Sequence, residues 1–271
     1  MTFLELCGRL AGAGISDCKR EAALLLEHFC GRPLGALEEE TDYENRALDE
    51  AVKKRCRHEP LQYLLGKWEF YRQTYFVSPD CLIPRSDTEV LVEEAIRILP
   101  KNAVFADLCT GSGCIGISIL CERPDTRCLA LEKFPKTLAL AQKNARLNGV
   151  SERFTPCLAD LLTEGDEKLS KEAPFDAILS NPPYIERAII PTLSPEVRAE
   201  PIAALDGGED GLLFYRTILQ FSKFLKPGGR MLLEIGYDQA EAVTSLAKKA
   251  GFSEIRVIKD LGGNDRVVSL V

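Results

Sequence analysis

Apolar positions in the first quarter of the chain recur at helical spacing. Ala22, Leu25, Leu26 and Phe29 follow i, i+3, i+4, i+7, with Ser16-Asp17 placed to cap the helix and Gly31 and Pro33 to stop it. A second helix over about 44–57 sets Leu48, Ala51, Val52 and Cys56 on one face. A short turn at 60–65 ends at Gly66, so residues 1–66 read as a small helical bundle. The pattern then changes. Trp68, Phe70, Tyr71, Tyr75 and Phe76 favour strand, and a β-hairpin linker within 67–80 is expected to turn near Arg72-Gln73. Ser86-Asp87-Thr88-Glu89 has capping-box spacing, and Leu91, Ala95 and Ile98 repeat helically behind it up to Pro100.

From Ala103 onward short apolar runs alternate with amphipathic stretches. Strands are predicted at 104–108, 128–131, 154–158, 175–179, 230–235, 254–259 and 266–270, and helices at 115–121, 136–147, 211–224 and 239–250. This alternation predicts an α/β domain over 81–271 whose mainly parallel sheet is covered on both faces. The last two strands have no helix between them, so they are expected to be antiparallel neighbours. Residues 186–205, with Pro191, Pro195 and Pro201, are expected to form a long loop near the pocket.

Bulk properties remove several function classes. No apolar run approaches the ~20 residues of a membrane span. Residues 1–10 carry Glu5 and no basic segment before an apolar core, so no secretory signal is expected and the cytoplasm is the expected location. The ten cysteines are scattered without a C-x-x-C pair, and His28 and His58 stand outside any motif, so no metal is expected. A net charge of −7 argues against holding naked nucleic acid through its phosphates. The one dense basic run, Lys53-Lys54-Arg55-Cys56-Arg57, reads as a solvated helix face.

The most specific chemistry lies in Asn181-Pro182-Pro183-Tyr184, directly after the apolar run 175–179. An amide or aromatic-amine nitrogen delocalises its lone pair and attacks poorly unless held. The Asn181 side-chain oxygen and the Pro182 carbonyl can each accept one hydrogen of such an NH2 group, on a turn stiffened by two prolines, with Tyr184 against the planar face. A second constellation suits a nucleoside carrying an amino-acid tail. Asp107-Leu108-Cys109-Thr110-Gly111-Ser112-Gly113 joins the first strand of the sheet to its helix and lets the backbone approach a ligand, with Asp107 placed for an ammonium. Glu132, 25 positions on, can accept from both ribose hydroxyls; Asp160 can accept from an adenine amino group, and Leu161 can cover the ring. That set fits S-adenosylmethionine. The G-x-G-x-x-G context of a dinucleotide site and the Gly-Lys-Ser/Thr of a P-loop are both missing.

The chain resembles the HemK/PrmC family of protein-(glutamine-N5) methyltransferases, which act on peptide chain release factors. The resemblance rests on 59–66 (Glu-Pro-Leu-Gln-Tyr-Leu-Leu-Gly), Trp68-Glu69-Phe70, Leu82-Ile83-Pro84-Arg85, Thr88-Glu89, the 107–113 turn, Asn181-Pro182-Pro183-Tyr184, Glu200-Pro201, Gly207-Gly208-Glu209-Asp210-Gly211 and Asp265-Arg266. It implies a seven-stranded Rossmann-like class I methyltransferase sheet and an N-terminal helical domain that recognises the release factor. It also implies that Asn181, Pro182, Pro183 and Tyr184 bind the glutamine of a Gly-Gly-Gln tripeptide, and that Asn181, Pro182 and Tyr184 serve catalysis. The 109–113 turn, Glu132, Leu161 and Asn181 would hold the cofactor. The chain departs from the family pattern at Cys109 and Arg72, where glycine is usual, and at Ser86, where proline is. The expected partner is a release factor, with no nucleic acid, no membrane and a monomeric chain. The rival readings are a ribosomal-protein glutamine methyltransferase, an N6-adenine or N2-guanine methyltransferase, and a non-catalytic binding module.

Overall fold

The computed structural model describes residues 1–31 and 41–271, so Pro33, the expected helix stop, lies outside the described residues. The chain divides into two compact units. The first comprises Met1–Lys67 with Leu193–Ala199, and the second Trp68–Thr192 with Glu200–Val271.

In the first unit, α1 (Phe3–Gly12), α2 (Cys18–Cys30), α3 (Arg46–Arg55) and α4 (Leu61–Leu65) enclose a core of Leu6, Leu10, Leu25, Leu26, Leu48 and Val52. α3 starts later than its apolar pattern alone suggests because Asn45 caps it, its Oδ1 accepting from the N–H groups of Ala47 and Leu48. Asp17 occupies the N-cap of α2 without a side-chain cap bond. A reciprocal capping box forms instead at α1, between Thr2 and Glu5.

The basic run on α3 is not a uniformly solvated face. Lys53 is exposed, but Arg55 is buried and donates through Nε and Nη2 to the two oxygens of Glu21 at 2.6 and 3.1 Å. Its Nη1 reaches Glu196, in the segment Leu193–Ala199, at 3.2 Å, and His58 Nδ1 lies 2.8 Å from the same carboxylate oxygen. A buried guanidinium needs this many acceptors, and two carboxylates plus the Glu59 carbonyl supply them.

A hairpin of β1 (Lys67–Phe70) and β2 (Gln73–Phe76) follows, within the second unit from Trp68 onward. Tyr71, not Arg72, takes the left-handed turn conformation, at φ +58°. Its N–H donates to Glu89 Oε1 at 2.8 Å. The capping box expected at 86–89 therefore does not form. Ser86–Thr88 makes a 3-10 turn without a side-chain cap, and the Glu89 carboxylate serves the hairpin.

Seven strands follow: β3 (Val104–Leu108), β4 (Arg127–Glu132), β5 (Phe154–Leu158), β6 (Phe175–Ser180), β7 (Leu225–Glu234), β8 (Ile255–Lys259) and β9 (Asp265–Leu270). They form one sheet in the order β5-β4-β3-β6-β7-β9-β8. The neighbours from β5 to β7 are parallel, and β9 runs antiparallel to both β7 and β8, as the missing helix between the last two strands predicts.

Helices α5 (Glu89–Ile98), α6 (Cys114–Glu122), α7 (Pro135–Leu147) and α8 (Gly165–Glu172) are followed by the short α9 (Pro195–Arg198), α10 (Leu213–Ile218) and α11 (Ala240–Lys249). Two apolar layers form, one containing Phe105, Ile117, Ala130 and Leu179, the other Leu108, Leu131, Ile178 and Leu233. Adjacent residues of one strand thus enter opposite layers, the signature of a sheet buried on both faces. The helix predicted at 211–224 is α10 continued by a 3-10 stretch, Leu219–Phe224. α8 escaped the sequence pattern because only Gly165 and Leu169 are buried along it. Residues 186–205 are not a bare loop, since they hold 3-10 turns at Ile190–Thr192 and Ile202–Ala204 besides α9.

Candidate active site

β3 is flanked by β4 on one side and β6 on the other, so the strand order reverses at its carboxyl end. Open parallel sheets place ligands at this switch point. A cavity of about 300 Å³ lies there. Cys109, Thr110, Gly111 and Ser112 line it, as do Glu132, Asp160, Leu161, Asn181 and Pro183.

Asp107, Gly113, Pro182 and Tyr184 do not line this cavity. Asp107 is fully buried behind the turn. Its Oδ2 accepts from Thr110 Oγ1 at 2.6 Å and from the Gly116 N–H at 3.1 Å, which ties it to the turn, while its Oδ1 is buried with no hydrogen-bond partner among the described residues. Gly113 is a packing glycine: its φ is +82°, and a Cβ there would stand 2.7 Å from Ile117 Cδ1. Cys109 takes φ +59°, a conformation that costs a cysteine more than the glycine usual in the resembled family. Thr110 ties the turn to β4 by donating its N–H to the Leu131 carbonyl at 3.0 Å.

Glu132 ends β4 with each carboxylate oxygen accepting one backbone N–H, from Gly111 at 3.1 Å and from Phe134 at 3.0 Å. Each oxygen keeps a lone pair for another donor. Burial raises its pKa. Asp160 is held ionised, chiefly by Lys133 at 2.8 Å, while its Oδ1 accepts from the Leu162 N–H at 3.0 Å.

Asn181 leaves β6 and donates from Nδ2 to Thr88 Oγ1 at 3.2 Å, and its Oδ1 accepts from no group among the described residues. Behind it, Tyr184 is fixed by its backbone. The Tyr184 carbonyl accepts from Gln239 Nε2 at 2.9 Å, and Ile185 bridges Asp206. The Gly207-Gly208-Glu209-Asp210-Gly211 stretch now has a physical role. A Cβ on Gly207 would sit 2.7 Å from Tyr184 Cα, and one on Gly211 would sit 2.5 Å from the Tyr184 carbonyl oxygen. Those glycines, Thr88 and Gln239 are the supports that reading by residue type missed. The glycine stretch and Thr88-Glu89 stood among the resembled motifs, but nothing in the sequence singled out Gln239.

The three cysteines at the cavity, 81, 109 and 114, are packing groups. Burial pushes their thiols up, Cys114 to about 12. No group of metal-ligating side chains occurs among the described residues.

Comparison with known proteins decides the family. Residues 86–194 match the Methyltransferase small domain family and residues 5–66 the PrmC N-terminal domain family. A release factor glutamine methyltransferase of Geobacter sulfurreducens is 40% identical over 96% of this chain and 92% of its own length. One from Salmonella typhimurium is 39% identical over 92% of this chain and 90% of its own. The chain belongs to the release factor glutamine methyltransferase family. Among solved structures, the hMettl16 catalytic domain, in complex with an RNA hairpin, superposes with a TM-score of 0.57 at 16% identity, covering 72% of this chain and 73% of that one. That similarity concerns the fold alone.

S-adenosylmethionine is the cofactor of this methyltransferase, and the donor set fits it. The two part-used oxygens of Glu132 suit a vicinal diol, and Leu161, only 3% exposed, offers an apolar wall to a base. Gly111 at φ +56° leaves nothing closer than 3.7 Å where a Cβ would stand, a cradle for a close backbone approach.

Two predictions follow from the supports of the methyltransferase site. Gly207→Ala must displace the Tyr184 backbone, because its clashing neighbours are main-chain atoms. It is expected to lower kcat roughly 10-fold while cofactor-product affinity stays within about threefold. An unchanged kcat in a folded variant would show that the placement of Tyr184 is unimportant.

The second concerns pH. Burial pushes Asp107 and Glu234 each up to about 7. Between an unfolded carboxyl pKa of about 4 and that value, the folded chain holds more protons than the unfolded one, so these groups lower stability as pH rises. Their contribution is fully favourable below the unfolded pKa and is lost through 7. Urea unfolding of the cofactor-free enzyme between pH 5 and 8 is expected to show a smaller decline in Asp107→Asn than in the parent. Parallel curves would refute the assignment.

Proposed function

We propose that this enzyme methylates the side-chain amide nitrogen of the glutamine in the Gly-Gly-Gln tripeptide of peptide chain release factors. Asn181 carries this reading: its Nδ2 is engaged by Thr88 while its Oδ1 is left at a cavity the residue itself lines. A carboxamide oxygen so placed accepts one N–H of an incoming amide, and the carbonyl of Pro182, which does not itself line the cavity but stands between Asn181 and Pro183 that do, is assigned as the acceptor of the other. Together they hold the nitrogen's remaining lobe in one direction, an orientation that supplies several kcal/mol of the barrier without a strong base. Pro183 walls the acceptor, and Tyr184 backs the turn. S-adenosylmethionine supplies an electrophilic sulfonium methyl. Glu132, Leu161, Asp160 and the turn from Cys109 to Ser112 hold it. The amide nitrogen becomes acidic as it is methylated, so its proton is lost to water and no side chain is assigned as general base.

The helical unit of residues 1–66 is assigned to recognition of the release factor, the hairpin within 67–80 to linkage, and residues 81–271 to methyl transfer. We place the enzyme in the cytoplasm as a monomer that takes a protein and not a nucleic acid, consistent with its net charge of −7. No helix among the described residues is long and apolar enough to cross a membrane.

The test is incubation with radiolabelled S-adenosylmethionine and three acceptors: a release factor, the same factor with its glutamine changed to alanine, and an oligonucleotide. Label is expected in the first alone. Transfer to the oligonucleotide, or equal transfer to the alanine variant, would overturn the substrate assignment.

A further inference from the structure

Ile83 and Arg85 line the cavity from one segment and Pro201 and Ala203 from another, and one buried carboxylate ties the two together. Glu200, 4% exposed, accepts the Ile83 N–H on Oε2 at 2.9 Å and Arg85 Nη2 on Oε1. Burial raises its pKa, while Arg85 and the Ile83 N–H oppose the rise. Each oxygen meets one donor from the same short segment, which fixes both the backbone of that segment and the end of its arginine. Arg85 also belongs to the acceptor side of the site. Its carbonyl accepts from the Thr88 N–H at 3.1 Å, and Thr88 holds Asn181. Burial pushes the Tyr184 phenol up to about 12, and Arg85 is among the cations that oppose that rise. Of the guanidinium, only Nη2 is engaged. Nε and Nη1 donate to no group among the described residues, and the side chain is 38% exposed at the cavity.

A Gly-Gly-Gln tripeptide gives such donors a use. Its two glycines carry no side chain, so recognition beside the glutamine falls to the main chain. Main-chain carbonyls lose water on entering a cavity and need donors there. Asn181 and Pro182 are assigned as acceptors and cannot supply them, whereas a guanidinium presents several donors in one fixed plane. Its pairing matters as much. A lone cation would oppose a sulfonium in the same cavity, but an arginine neutralised by a buried carboxylate offers donors with little net charge. Arg187 also lines the cavity, yet its side chain is 64% exposed, and it is held through Nε by Asp206 rather than by a buried carboxylate.

We propose that Arg85 donates to the main-chain carbonyls of the acceptor tripeptide and is a substrate-binding residue, with Glu200 as the positioning residue that aims it. This rests on the Gly-Gly-Gln substrate stated above.

The experiment compares Arg85→Met, Glu200→Gln and the double variant with the parent in steady-state kinetics with release factor. Calorimetry gives the Kd for S-adenosylhomocysteine. It also gives the Kd, at saturating S-adenosylhomocysteine, for release factor and for the factor whose glutamine is changed to alanine. Arg85→Met is expected to raise KM for release factor about 10-fold, the size of losing hydrogen bonds from one charged donor. kcat should stay within about threefold and the S-adenosylhomocysteine Kd within about twofold, because binding of the protein substrate alone is lost. The alanine factor keeps its main chain, so Arg85→Met should raise its Kd by the same factor. Glu200→Gln keeps an acceptor for the Ile83 N–H and should raise KM about threefold, yet add nothing to Arg85→Met, since it acts through that arginine. The double variant leaves no unpaired buried carboxylate and decides the matter if Arg85→Met does not fold. Parental release-factor affinity in the double variant would overturn the proposal, as would independent, multiplying losses or an alanine factor whose affinity does not move. A 10-fold loss of S-adenosylhomocysteine affinity would also overturn it, giving Arg85 to the cofactor's carboxylate instead. A parent enzyme that transfers no label to release factor would overturn the substrate reading itself, a result distinct from a parental KM in Arg85→Met.

Discussion

Asn181→Ala is expected to lower kcat for release-factor methylation by about 10²- to 10³-fold while leaving the Kd for S-adenosylhomocysteine within about threefold. The asymmetry follows from where the side chain is engaged. Its Nδ2 is spent on Thr88, and its Oδ1 is the end left for the acceptor. The cofactor's polar groups are assigned instead to Glu132, Asp160 and the turn from Cys109 to Ser112. Truncation therefore removes an interaction that matters when the weak nucleophile must be aimed and removes little from cofactor binding. Asn181→Asp keeps an acceptor but cannot donate to Thr88, and it should also be slow. Single-turnover kinetics with bound cofactor separate chemistry from binding. A variant with parental turnover, or one whose defect lies wholly in cofactor affinity, would remove Asn181 from the role given to it.

Glu132→Ala should weaken S-adenosylhomocysteine binding by roughly 10- to 100-fold, the size expected when hydrogen bonds to one charged group are lost. Two losses combine. The acceptors for the ribose hydroxyls disappear, and the N–H groups of Gly111 and Phe134 lose the carboxylate that holds them. The slackened segment is the one that must approach the cofactor most closely. kcat at saturating cofactor should fall much less than affinity, the reverse of the Asn181 pattern. A pH dependence accompanies it. Burial raises the Glu132 pKa, and the ionised form is the better acceptor. Binding should therefore weaken as pH falls through that raised value. Calorimetry from pH 4.5 to 7.5 checks the sign, and an affinity that stays constant over that range would contradict it. In Glu132→Gln the dependence should largely vanish.

Much of this arrangement was legible because it is local. Strand 104–108 and strand 154–158 were read to the residue, since short apolar runs bounded by turn residues leave little room for error. Asn181 and Glu132 stood out because their chemistry is narrow and each follows a strand. The structure departs from the sequence pattern where a distant partner overrides a local rule. Glu89 has the spacing to cap its own helix, yet it accepts from Tyr71 across 18 residues of chain. Arg55 belongs to a run that reads as a solvated stripe, but Glu21 and Glu196 draw it inside. Asp107, the expected ammonium ligand, also ties its turn together through Oδ2, a second use that its residue type does not announce.

The sequence by itself determined the alternation of strands and helices, the switch-point turn and the identity of the acceptor motif. These follow from hydrophobic period and from residue types whose chemistry has few uses. Only the tertiary structure decided how the motif is supported: Thr88 against Asn181, and Gly207 and Gly211 against the Tyr184 backbone. Periodicity says which face of an element is buried, but not which polar group from another element will meet it there. That pairing is fixed by packing, and here it sets the direction in which a nearly symmetric carboxamide points.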